Sequence, residues 1–226
     1  MAIKEFWHRI YTKPRRLRLI RRYGLPMLEA FDKALSGAGI PFSPVYGTLL
    51  GAIREKGFIA HDDDVDMGVW TDQLPGGLEA LHKALEGAGF TLRRTLLVDG
   101  GEFAREETWK WNHVGVDIFF FDHVDGDTCR GYMFYPFRDC KSFGESVQKH
   151  GGLRVVEFDV PFSSDTERLP FESITLPVTK TAEGFVVARY GLDWRTPDPT
   201  FVYPRPGVSG NHDRDDKICI PVKPEK

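Results

Sequence analysis

Residues His61-Asp62-Asp63-Asp64-Val65-Asp66 put four carboxylates into five consecutive positions, and the apolar run Met67-Gly68-Val69-Trp70 follows at once. Like charges this close repel, so a folded chain must protonate some, hold them apart, or join them through a cation. If Asp64 and Asp66 lie on a strand, its two-residue period turns both to one face, while Val65 and Met67 turn to the other. Asp62 joins that face if the strand extends backwards. A donor set made only of oxygens suits a hard divalent cation, Mg2+ or Mn2+. An EF-hand loop starting at Asp62 is excluded, because its sixth and twelfth positions hold Met67 and Gln73 instead of Gly and Glu. His123, Cys129, Cys140 and His150 are scattered and lack zinc spacing.

The residues upstream narrow the chemistry. Val45-Tyr46-Gly47-Thr48-Leu49-Leu50-Gly51 reads as a strand end, a tight turn and a helix start. Backbone N–H groups at a helix N-terminus bind phosphate. Gly47 permits close approach without a Cβ, and Thr48 is placed to cap the helix or contact an oxygen. Arg54 is a candidate anion contact, because its planar fork suits phosphate; a helix-surface ion pair is its ordinary alternative. Farther on, Asp117 is the lone charge in the apolar run Val114–Phe121 and needs a partner or a cation. A Gly-Thr turn, then Asp-x-Asp, then a third acid on a later strand is the order of the nucleotidyltransferase fold. The metal set is therefore Asp62, Asp64, Asp66 and Asp117. Asp64, Asp66 and Asp117 are the catalytic candidates, and Gly47, Thr48 and Arg54 are the anion-binding ones. An Asp-x-Asp glycosyltransferase, a nucleotidyltransferase or an inactive binding protein of the same fold remains open on these residues.

A chain of 226 residues with 41% hydrophobic and 28% charged residues suffices for one packed core. Periodicity predicts an α/β (α+β) domain, a mixed sheet flanked by helices. Helices are expected after Pro14 and again after Pro26, at 47–55, at 78–85 and at 182–189. Strands are expected at 65–70, 90–98, 103–109 and, centrally, 114–121, with weaker ones at 131–137 and 153–160. Trp109, Lys110, Trp111 and His113 are candidates for lining a sugar or choline pocket, although strand aromatics usually pack. Tyr190 and Trp194 read as packing residues.

Charge is unevenly spread along the chain. The net charge is -3, which excludes a nucleic-acid polycation, yet residues 1–24 carry eight Lys and Arg against the single acid Glu5. Interleaved aromatics and aliphatics make this segment either a contact for anionic lipid or polymer, or a solvated helix on its own domain. Three cysteines leave one unpaired in any disulfide scheme, and no run approaches the ~18 apolar residues of a membrane span. These features predict a cytoplasmic protein, with peripheral contact at the inner membrane face through the basic segment. Three regions are expected: 1–24, the basic segment; 25–197, the catalytic domain; and 198–226, a Pro-rich tail that wraps the surface or is partly disordered.

Gly47-Thr48-Leu49-Leu50-Gly51-Ala52-Ile53-Arg54, then Gly57-Phe58-Ile59, then Asp62-Asp63-Asp64-Val65-Asp66 resemble the LicD family, which includes bacterial phosphocholine transferases, fukutin and fukutin-related protein. Val116-Asp117-Ile118-Phe119 and Tyr190-Gly191-Leu192-Asp193-Trp194 resemble its later motifs, so the resemblance spans roughly residues 25–197. Ala60-His61 stands where the family usually writes Pro-Trp. The resemblance implies transfer of a phospho-alcohol, such as phosphocholine or ribitol phosphate, from a CDP-linked donor to a hydroxyl of a glycan or glycolipid. CMP would leave, with Mg2+ or Mn2+ on the aspartates.

Overall fold

The computed structural model describes residues 12–198, 201 and 210–224. Five helices flank a mixed sheet of eight strands: α1 (Lys13–Gly37), α2 (Tyr46–Arg54), α3 (Gly77–Gly87), α4 (Phe143–His150) and α5 (Ala182–Tyr190). The strands are β1 (Phe42–Pro44), β2 (Asp66–Trp70), β3 (Phe90–Val98), β4 (Ala104–Trp111), β5 (Val114–Asp125), β6 (Thr128–Tyr135), β7 (Leu153–Pro161) and β10 (His212–Val222), in the order β1-β2-β5-β4-β3-β10-β7-β6. A separate hairpin joins β8 (Thr166–Phe171) to β9 (Ile174–Thr179).

The long apolar strand β5 organises the sheet. Asp117–Phe121 pairs in parallel with β2, while the same strand pairs antiparallel with β4. Its last residues, Asp122–Asp125, pair with β6, so the ladder β5-β4-β3-β10-β7-β6 returns to β5. Ile118 and Phe121 are fully buried in the main core with Met67, Val69 and Trp70 of β2. Met27, Leu28, Phe31 and Leu35 of α1 join them, at helical spacing. A smaller core gathers Leu96, Val98, Tyr132, Phe134, Leu153 and Cys219.

Three expectations change. The helices expected on either side of Pro26 are one helix, α1, with Pro26 in its interior. Proline there removes a backbone bond and costs about 3 kcal/mol in an isolated helix. Burial of Met27, Leu28 and Phe31 immediately after it offsets that cost. The basic segment as far as it is described, from Thr12, is thus continuous with the helix that packs on the domain; residues 1–11 lie outside the described residues. Second, residues 212–222 are extended as expected, but they form a strand inside the sheet, between β3 and β7, instead of a surface wrap. Third, the β8–β9 hairpin and α4 were not foreseen. Pro170 and Pro177 argue against strands by pattern, but a two-stranded hairpin tolerates a missing donor. No described helix is long and apolar enough to cross a membrane.

Candidate active site

Backbone pairing brings the acids together. Asp66 opens β2 and stands in register with Asp117 of β5, and the ladder continues one step back, where Asp117 N–H donates to Val65 O at 2.9 Å. Aligned residues of parallel neighbours share a face. Asp64 precedes the strand, outside its ladder, and Asp62 lies farther back in the loop that leaves α2. All four line one cavity of about 380 Å³, together with Gly47, Arg54 and His61. Asp63 turns away from it toward α1, 3.7 Å from Lys13 Nζ and 3.6 Å from Arg16.

The start of α2 is shaped by this loop. Tyr46 takes a left-handed backbone (φ 47°), a strain of about 1–3 kcal/mol for a residue other than glycine. Its ring is buried edge-on against Phe119, 4.8 Å between centroids. A Cβ on Gly47 would overlap Oδ2 of Asp62, so glycine lets the helix N-terminus lie directly on that carboxylate. The N-cap residue, Val45, makes no side-chain bond to the first turn. Thr48 lies outside the cavity lining. It is buried, and its hydroxyl accepts the Asp66 N–H at 3.0 Å, which ties the helix to the first residue of β2. Arg54 does reach the cavity, where it donates to Trp194 O at 3.0 Å and to Glu55 at 2.8 Å.

Electrostatics follow from this crowding. Burial, and then the neighbouring Asp64, push the Asp62 carboxyl up to about 8. Burial, Asp64 and Asp117 hold Asp66 well above the ordinary carboxylate range. Asp117 is raised by burial, although Thr108 donates to it at 2.5 Å and opposes the rise. Asp62 and Asp64 lie within side-chain hydrogen-bond reach of each other, which adds to the Asp62 rise. Among the described residues, Asp139, Cys140 and His150 form the one set of three or more metal-ligand side chains whose ligand atoms all lie within 4.8 Å. That set lies at the surface beside α4. It brings together a cysteine and a histidine that are ten residues apart in sequence, and Lys149 neutralises its carboxylate at 2.6 Å.

Glu106 is the acid that pattern reading missed. It lies on β4 two residues before Thr108, on the face of Asp117, and burial and Asp117 push its carboxyl up to about 8. Its neighbour Glu107 faces the other way and is fully buried, held by His82, Arg105 and Trp109. Adjacent acids on a central strand must point to opposite faces, and that was the available signal. Trp109 and Trp111 pack away from the cavity, with their indoles on Glu107 and on Ala88 O. Tyr190 and Trp194, expected to be packing residues, do line it, with Phe119 and Phe201. Trp194 is buried, and its Nε1 has no hydrogen-bond partner among the described residues. Asp122 bonds Thr71 and Tyr132, and neither it nor Asp125 lines the cavity.

A Gly-led helix start, three aspartates and a later-strand aspartate around one aromatic-walled cavity coincide with a family match. Residues 39–178 match the model of the family described as LicD/FKTN/FKRP, nucleotidyltransferase domain. The chain belongs to the LicD/FKTN/FKRP family. The matched span contains Gly47, the aspartate cluster and Asp117. The chain is 33% identical over 189 residues to the human ribitol 5-phosphate transferase FKRP, an alignment covering 80% of this chain and 33% of that protein. It is 27% identical over 169 residues to the mouse ribitol-5-phosphate transferase FKTN, covering 69% and 35%. The chain therefore spans about a third of the length of these family members.

Proposed function

We propose that this chain is a metal-dependent phosphotransferase that moves a phospho-alcohol, of the ribitol phosphate or phosphocholine kind, from a CDP-linked donor to a hydroxyl of a glycan or glycolipid. The observation that carries this reading is the register of Asp66 with Asp117 beneath a helix start that rests on Asp62, in a chain whose relatives are named ribitol 5-phosphate transferases. The four aspartates suit a hard cation: their donors are all oxygen, and burial together with the neighbouring Asp64 already raises Asp62 to about 8. Mg2+ or Mn2+ held by Asp64, Asp66 and Asp117, with Asp62 beside them, would neutralise charge on the donor diphosphate.

The chain's own groups supply the rest. The first turn of α2, with no side-chain bond from Val45, offers backbone N–H groups to phosphate, and Arg54 adds a fixed positive charge at the cavity wall. Aromatic walls at Tyr46, Tyr190 and Trp194 give a base or an alcohol chain flat surfaces, and Trp194 Nε1 is a donor that no group among the described residues occupies. In the reaction, the acceptor oxygen bonds to the phosphorus carrying the alcohol, the phosphoanhydride bond breaks, and CMP departs with that bond's electron pair. Asp117 takes the hydroxyl proton.

The test is product analysis with Mn2+ and CDP-ribitol, CDP-choline or nucleotide sugars. CMP and a phosphodiester from a CDP-alcohol are the expected products. Release of a nucleoside diphosphate from a nucleotide sugar would make the chain a glycosyltransferase, and release of pyrophosphate a nucleotidyltransferase.

A further inference from the structure

The loop between β6 and α4 gathers a second set of ligand-type side chains, outside the active-site cavity. Asp139, Cys140 and His150 bring one oxygen, one sulfur and one nitrogen within 4.8 Å of one another. They converge on a single atom: Asp139 Oδ1 lies 2.9 Å from His150 Nε2 and 3.5 Å from Cys140 Sγ. In a tetrahedral zinc site, bonds of about 2.0–2.3 Å put neighbouring ligand atoms about 3.3–3.6 Å apart. Two of the three separations are thus already close to those an ion would impose, and the third is bounded at 4.8 Å.

The frame around these atoms is fixed. Ser146 is fully buried; its hydroxyl accepts the Phe137 N–H at 3.1 Å and donates to Gly152 O at 2.7 Å, so one side chain ties the start of the loop to the chain beyond α4. Cys140 N–H donates to Phe137 O at 2.9 Å, and Glu145 accepts the Lys141 N–H at 2.7 Å. The Phe137 ring stacks on the His150 imidazole, 4.3 Å between centroids. Lys149 holds Asp139 Oδ2 at 2.6 Å, which leaves Oδ1 to the cysteine and the histidine. Metal ligands depend on such outer contacts for their orientation. Two of the ligands precede α4 and the third is its last residue, and a helix of eight residues is too short to be stable by itself.

The donor types choose the ion. A thiol is a weak hydrogen-bond donor, so Cys140 gains little from a carboxylate alone. Thiolate and imidazole are ligands of zinc-class ions, whereas the all-oxygen set of the active site suits a harder cation. We propose that Asp139, Cys140 and His150 hold one zinc-class divalent cation, with water in the fourth position, and that this ion clips the β6–α4 loop to the far end of α4. The thiol proton leaves to solvent as the metal–sulfur bond forms. None of the three residues lines the active-site cavity, so the clip is structural and stands independently of the transfer reaction.

The experiment is a Co2+ titration of the full chain, kept reduced by a phosphine and followed by absorption. Cobalt takes the place of zinc, and a near-ultraviolet thiolate-to-cobalt band reports sulfur ligation that the aspartates cannot give. One Co2+ per chain should produce the band. Zn2+ should abolish it at a concentration at least ~10-fold lower than Mn2+ requires, in the usual affinity order of divalent metals. Cys140→Ser should remove the band, and Asp66→Asn should leave it. His150→Phe keeps a ring against Phe137 but deletes the nitrogen, and should weaken Co2+ binding at least ~10-fold. On the unaltered chain, Zn2+ at ~10 times its Kd should slow alkylation of Cys140 by iodoacetamide about 10-fold, in proportion to occupancy, and the same concentration of Mn2+ should not. Amide exchange in α4 should slow when Zn2+ is bound. No band, a band that survives Cys140→Ser and so comes from Cys129 or Cys219, or displacement by Mn2+ as readily as by Zn2+ overturns the proposal. So does added Zn2+ that leaves α4 exchange or Cys140 alkylation unchanged, which would make the three residues a hydrogen-bonded surface cluster only.

Discussion

The two ends of the sheet use the same acidic residue types to opposite effect. Around β10, Asp213, Asp216, Glu157 and Asp99 each have a basic partner. Arg214 bridges Glu157 and Asp216 at 2.8 and 2.9 Å, Arg138 and Arg154 both reach Asp213, and Lys217 meets Asp99. The Arg214 guanidinium holds Asp216 below the usual carboxylate range. Around β2 and β5, acids face acids, and burial with mutual repulsion lifts Asp62, Asp66, Asp117 and Glu106. Arg94, Arg16 and Lys13 lower this repulsion without reversing it. Local pairing thus accounts for the acids of one end, whereas the other end carries an electrostatic cost that a positively charged ligand would relieve.

Replacing one aspartate by asparagine at each end tests the contrast most sharply. Asp66→Asn removes a carboxylate from the crowded set. Turnover should fall on the order of 10²- to 10³-fold, the usual loss for one preorganised electrostatic group. The cation-free protein should melt higher, by roughly 2–4 °C for each kcal/mol of repulsion relieved, measured by calorimetry at pH 8. Retained turnover or a lower Tm would place Asp66 among ordinary structural acids.

A middle-sized effect is expected at Trp194→Phe. It keeps the ring but deletes the N–H that lacks a partner among the described residues, so Tm should hold or rise. The Kd for a CDP-alcohol, read by titration calorimetry, should weaken about 5- to 10-fold, the equivalent of one hydrogen bond. A lower Tm with an unchanged Kd would make Trp194 a packing residue only. The smallest effect belongs to Asp216→Asn. An exposed ion pair contributes little, so Tm should move by no more than ~2 °C and turnover should not change.

The parts of the site legible in the sequence were those in which neighbours in the chain are neighbours in space. Four carboxylates in five positions, the Gly47 turn and the lone Asp117 in an apolar run each announce themselves within a few residues. The main core strands were legible for the same reason, because β5 is apolar along most of its length. What stayed hidden depends on distant pairing. The first half of β10, His212 to Lys217, reads as solvated because its charges are satisfied by Glu157 and Arg154 of β7, nearly sixty residues away. Glu106 carries no signal of its own in the chain and joins the acids only when β4 is laid beside β5. Thr48 looked like a ligand contact, but its hydroxyl accepts the N–H of a residue 18 positions on. The unbroken course of α1 past Pro26 was hidden too, because it runs against the usual meaning of proline in a helix.

The most direct test of the cation-centred account is Tm against pH, from 5 to 8, with and without Mn2+. Asp62 and Glu106 are pushed up to about 8 in the folded chain, whereas unfolded carboxyls titrate near 4. Between those values the folded state holds more protons than the unfolded one, so stability must fall as pH rises. The account predicts a Tm that declines toward pH 8 without Mn2+, a decline that Mn2+ suppresses, and loss of that Mn2+ effect in Asp66→Asn but not in Cys140→Ser, which disables the surface Asp139–Cys140–His150 set. A Tm indifferent to pH, or an Mn2+ effect that survives Asp66→Asn and disappears in Cys140→Ser, would contradict it.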